Sequence, residues 1–114
     1  IHVIDLAKGH LKALKKIHPV EDNRKEHKQG TGENIWNLGT GQGYSVLEVI
    51  TAFEKATGVS VPYATKPRRE GDLAAFWADA NKAKIELNWQ AQLSLDKMVT
   101  DSWHWQKSNP QGYN

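Results

Sequence analysis

Two adjacent arginines followed closely by two carboxylates make Pro67-Arg68-Arg69-Glu70-Gly71-Asp72 the segment richest in usable chemistry. A guanidinium presents its N–H donors as a planar fork that meets phosphate oxygens two at a time, which suits a diphosphate. A carboxylate nearby can accept hydrogen bonds from ribose hydroxyls. The same residue types also suit a solvent-exposed, ion-paired loop, and exposed ion pairs are individually worth little.

Gly39-Thr40-Gly41-Gln42-Gly43 lies between an expected strand and an expected helix. In that setting backbone N–H groups and a helix N-terminus favour an anion. The dinucleotide fingerprint needs its third glycine at position 44, where Tyr44 stands. No Lys-Ser or Lys-Thr follows to make a P-loop. A tight strand-to-helix turn that needs small residues accounts for the segment more simply. His2, His10, His18, His27 and His104 show neither HExxH nor another paired ligand spacing, so no metal site is expected. Gly-x-Ser-x-Gly is absent, so that nucleophile arrangement is not offered.

These groups need elements to position them. Ile1-His2-Val3-Ile4 reads as a short strand, with Asp5 capping a helix whose stripe is Leu6, Ala7, Leu11, Leu14 and Ile17. Pro19 stops it. Residues 20–34 are polar, charged and glycine-containing, and read as a surface loop. Ile35-Trp36-Asn37-Leu38 reads as a strand. Ser45 with Glu48 predicts a capping box, a helix buried through Val46, Leu47, Val49, Ile50, Phe53 and Ala56, and an end at Gly58. Val59 to Thr65 is a further strand candidate. Asp79 can cap a short helix through Leu87, and Ser94 a last one through about Lys107. The order predicts an α/β fold with a few short strands and about four helices.

Composition bounds the rest. With 39% hydrophobic and 25% charged residues, the sequence is that of an ordinary soluble protein. It has no cysteine, which removes a disulfide framework and a thiolate metal site. A formal charge of +2 is too small to argue for nucleic acid. No apolar run approaches the length of a membrane span. The five tryptophans suit core edges or pocket walls, having an apolar body and one N–H donor.

Three stretches together resemble the extended short-chain dehydrogenases/reductases that act on nucleotide sugars. They are Ile1-His2-Val3-Ile4-Asp5-Leu6-Ala7 with Gly9-His10, Asn37-Leu38-Gly39-Thr40-Gly41 through Glu48, and Arg68-Arg69-Glu70-Gly71-Asp72 with Phe76-Trp77-Ala78-Asp79. The end, Leu87-Asn88-Trp89 through Trp103-His104-Trp105 to Gly112-Tyr113, resembles the UDP-glucose 4-epimerase family within that group. The resemblance implies an extended Rossmann-type epimerase of which residues 1–114 form the C-terminal region. That region would hold the substrate-binding domain plus a strand and a helix of the NAD domain.

It implies UDP-glucose and UDP-galactose as substrates, interconverted by NAD-dependent oxidation and reduction at C4. By the same resemblance Arg69 contacts the diphosphate, Asp72 bonds the ribose hydroxyls, and Phe76 borders the sugar pocket. Phe76 is also where bulk bears on whether N-acetylated sugars fit. No catalytic residue is assigned. The family's base motif Tyr-x-x-x-Lys is missing, since Glu48 follows Tyr44 at that offset and Pro67 follows Tyr63. The chain alone is therefore expected to be inactive, with NAD bound by a half it does not contain. A cytoplasmic location and a homodimeric parent are implied as well. Another nucleotide-sugar enzyme of this group (a dehydratase or decarboxylase) and a non-catalytic sugar-nucleotide-binding module are the alternatives.

Overall fold

The computed structural model describes residues 1–17 and 33–113. The loop expected at 20–34 falls almost wholly outside them. Four helices follow in order: α1 (Val3–Ile17), α2 (Val46–Thr57), α3 (Asn81–Leu87) and α4 (Leu95–Ser108).

Local hydrogen bonds explain where the helices start. His2, not Asp5, caps α1: its Nδ1 accepts from the Ile4 N–H at 3.0 Å. The helix therefore takes up Val3 and Ile4 of the expected first strand, and Ile1 and His2 precede it. At α2 the Ser45 hydroxyl accepts from the Glu48 N–H and Glu48 reaches back to the Ser45 N–H, the expected capping box. Gly58 ends α2 in the left-handed region, at φ 71°. Asp79 accepts from the Asn81 N–H at 2.9 Å, just ahead of α3. Ser94 caps α4 by accepting from the Lys97 N–H, as its position predicted.

The expectation of an α/β fold with short strands does not hold. Among the described residues no segment is a strand. A strand exists only where a neighbour completes its ladder of N–H and C=O bonds. The β-type residues are there, and 35–38 alternate as a strand would: Ile35 and Asn37 are exposed, while Trp36 and Leu38 are half-buried. What is missing is the second extended segment beside it. Residues 59–61 are held instead by side chains, the Val61 N–H donating to Glu54 Oε1 at 2.8 Å.

α1 packs on α3, and α2 on α4. Ala83, Leu87 and Trp89 form the buried cluster, with Ala13, Trp36, Leu38, Ala80 and Ala91 against it. Between α2 and α4, Phe53 meets Trp103 edge to face, with ring centroids 5.5 Å apart. The His2 Nε2–H donates to Asp101 Oδ2 at 3.0 Å and joins α1 to α4. Because Nδ1 accepts from Ile4, Nε2 must carry the proton.

Much apolar surface remains uncovered. The stripe predicted on α1 is exposed at Leu11, Leu14 and Ile17, and the predicted buried side of α2 is exposed at Val46 and Leu47. Ala52 alone is buried on α2. Apolar faces of this extent drive association. The isolated chain is therefore expected to be weakly stable and to self-associate. A cooperative, monomeric thermal transition above about 65 °C, the upper end for mesophile domains, would overturn that expectation.

Candidate functional site

The arginine segment folds into a tight turn. The Asp72 N–H donates to the Arg69 carbonyl at 3.3 Å. Gly71 sits at φ 82°, the positive region a type II turn demands of its third residue. That turn brings the two predicted binding residues face to face. Arg69 Nε donates to Asp72 Oδ2 at 3.0 Å, and Arg69 Nη2 donates to Asp72 Oδ1 at 3.1 Å. The pair lies open to solvent, with side-chain exposures of 86% and 38%. Arg68, Glu70 and Lys66 make no ion pair among the described residues. Arg69 is thus the guanidinium whose fork is already aimed.

Phe76, the third predicted site residue, is 80% exposed. With Gly41, Tyr44, Ser45, Ala74 and Trp77 it lines an open groove of about 420 Å³. This juxtaposition of Phe76 with the glycine turn was not read from the sequence. The close approach runs through Gly39: a Cβ there would come within 2.8 Å of the Ala78 Cβ. The bare backbone at 39 lets the segment after Phe76 lie directly against the turn.

Side chains within the glycine turn bond to one another and to its backbone. Thr40 Oγ1 donates to the Gln42 carbonyl at 2.8 Å, and Gln42 Nε2 to the Tyr44 hydroxyl at 2.6 Å. At the start of α2 the Ser45 N–H donates to Glu48 Oε2 at 2.7 Å. Hydrogen bonds from the Ser45 backbone and then its side chain hold the Glu48 carboxyl below the usual range. The Glu48 carboxylate thus takes the Ser45 N–H in the capping box. The tight-turn account fits this segment, and with Tyr44 where the dinucleotide fingerprint needs its third glycine these residues do not fit a dinucleotide. Among the described residues no group of three or more His, Cys, Asp or Glu could hold a metal ion. His18 and His27 lie outside them.

The model of the family described as GDP-mannose 4,6 dehydratase matches residues 2–102. The chain belongs to that family. Within it, the chain is similar to UDP-glucose 4-epimerases. It is 54% identical over 112 residues to that of Erwinia amylovora, covering 98% of this chain and 30% of that protein. It is 50% identical over 113 residues to the Homo sapiens enzyme, again covering 30% of it. A crystal structure of the Bifidobacterium longum 4-epimerase in complex with NAD+ and UDP matches with a TM-score of 0.80 at 53% identity. That match covers 99% of this chain and 30% of the other. The Stenotrophomonas maltophila enzyme, with bound NAD and formylated UDP-arabinopyranose, matches with a TM-score of 0.80 at 45% identity. The chain thus spans about 30% of the length of these relatives.

Proposed function

We propose that this chain is the UDP-sugar-binding, C-terminal region of a UDP-glucose 4-epimerase. The observation that carries this reading is the Arg69–Asp72 turn, in a chain 53% identical to an epimerase solved with UDP. Arg69 offers a two-point donor to a diphosphate. Asp72 offers an acceptor to a ribose diol, and Phe76 an apolar wall to the hexose. Residues 1–114 would carry this binding surface together with the segment that meets the NAD domain.

The whole protein would interconvert UDP-glucose and UDP-galactose, with NAD held by residues beyond this chain. The glycine turn gives no site for that cofactor, so no step through it is assigned to these residues. Two further parts of the reading are a homodimeric parent and a cytoplasmic location. Among the described residues no helix is long and apolar enough to cross a membrane.

The test is turnover by the full-length protein and by the 114-residue chain alone. UDP-galactose should be converted to UDP-glucose by the former and not by the latter. Because the family description names a GDP-mannose dehydratase, GDP-mannose is the second substrate arm. Conversion of GDP-mannose without any conversion of UDP-galactose would replace the epimerase reading with a dehydratase. Turnover by the isolated chain would overturn the division of labour.

A further inference from the structure

The Arg69–Asp72 pair uses two donors along one edge of the guanidinium, Nε and Nη2. A phosphate takes an arginine by the same two-point geometry. Within the chain itself the fork is therefore already engaged. The turn at 69–72, closed by its own backbone bond and by Gly71, keeps the carboxylate within reach of the fork. Glu70, equally acidic and next in sequence, makes no ion pair among the described residues. Asp72 is thus the carboxylate of this loop singled out by geometry.

We propose that Asp72 is a positioning residue that exchanges partners. In the free protein it holds and neutralises the Arg69 fork. A diphosphate arriving at Arg69 displaces it, and the freed carboxylate turns to the ribose hydroxyls. This rests on the site reading above. Two consequences follow. Asp72 opposes the diphosphate on its own while it supports the nucleoside. An acceptor for the diol also becomes available only as the diphosphate engages, so the pair discriminates a nucleoside diphosphate from either of its parts. Exposed ion pairs are weak, so the opposition is small, about 1.5- to 5-fold in affinity.

A double-mutant cycle on the full-length protein tests this, with inorganic pyrophosphate and uridine titrated separately by calorimetry. Asp72→Ala should bind pyrophosphate about 1.5- to 5-fold more tightly and uridine alone about as weakly as the parent does. The gain in pyrophosphate affinity should vanish in the Arg69→Ala background. Glu70→Gln removes the same charge without touching the fork, and should gain less than Asp72→Ala. Asp72→Asn keeps the side-chain shape and should fall between the parent and Asp72→Ala. An equal gain in the Arg69→Ala background would reduce the effect to general charge and overturn the exchange. Unchanged or weaker pyrophosphate binding by Asp72→Ala would overturn it too. Pyrophosphate binding that is indifferent to Arg69→Ala would instead sink the site reading itself.

Discussion

Arg69→Ala in the full-length protein is expected to lower affinity for UDP about ten- to a hundredfold, and Arg68→Ala to leave it nearly unchanged. The two residues are neighbours of identical type, so charge alone does not separate them. Geometry does. The Arg69 fork is held in the turn by a two-point contact with Asp72, whereas Arg68 makes no ion pair among the described residues. A charge-assisted hydrogen bond is worth about 1.5–3 kcal/mol. Losing the forked contact, less the weak pair it replaces, gives the stated range. Asp72→Asn should do less to UDP binding, because an amide still accepts one hydroxyl. The loss should appear in substrate affinity more than in kcat, since the contact is made in ground and transition states alike. Calorimetric titration of UDP into the variants decides it. Equal losses for Arg68→Ala and Arg69→Ala would show that the wrong arginine has been assigned to the diphosphate.

The sequence exposed some of this architecture and hid the rest, for physical reasons. Helix starts set by short-range hydrogen bonds were readable: Ser45 with Glu48 and Ser94 with Lys97 need only a few residues to be right. The Arg69–Asp72 proximity was latent in the Gly71 turn and in the option of an ion-paired loop. Strands were not readable, because a strand is a property of two segments. Ile35 to Leu38 has the alternation and not the partner. Burial failed in the same way. The α2 stripe is apolar and largely exposed, because periodicity marks a face without saying what covers it. His2 was the least visible: an imidazole as a helix cap and a link to Asp101 depends on an element almost the whole chain away. Phe76 came from resemblance, and no local rule would have brought it beside the glycine turn.

Asp5→Ala is expected to cost about 3 kcal/mol, because Asp5 turned out to be a tertiary anchor and not a helix cap. Asp5 is 1% exposed. Oδ2 accepts from the Gln92 N–H at 2.9 Å and the Leu93 N–H at 2.8 Å. Its carbonyl accepts from Trp89 Nε1–H at 3.0 Å. One residue thus fastens the first turn of α1 to the segment between α3 and α4. Each charged bond is worth about 1.5–3 kcal/mol, and the lower values are used because residues 92 and 93 can partly rehydrate. Hydrogen exchange at Gln92 and Leu93 in the full-length protein should accelerate roughly a hundredfold. Acid gives the complementary test. Burial pushes the Asp5 carboxyl up, but the Leu93 and Gln92 N–H groups, with Lys8 and His2, together bring it below its ordinary value of 3.8. Above that value both the folded and unfolded states are ionised, and the anchor contributes in full. As pH falls below it, the unfolded chain takes up its proton first. The contribution then declines and is gone once pH has passed the folded value. Asp5→Asn has no such proton to take up. Urea denaturation of parent and Asp5→Asn from about pH 6 to about pH 3 should therefore show their stability gap narrowing at the acid end. Asp101 and Glu48 also titrate low, but they do so in both proteins and cancel in the difference. A gap that stays constant across that range would mean the Asp5 charge contributes nothing to the anchor.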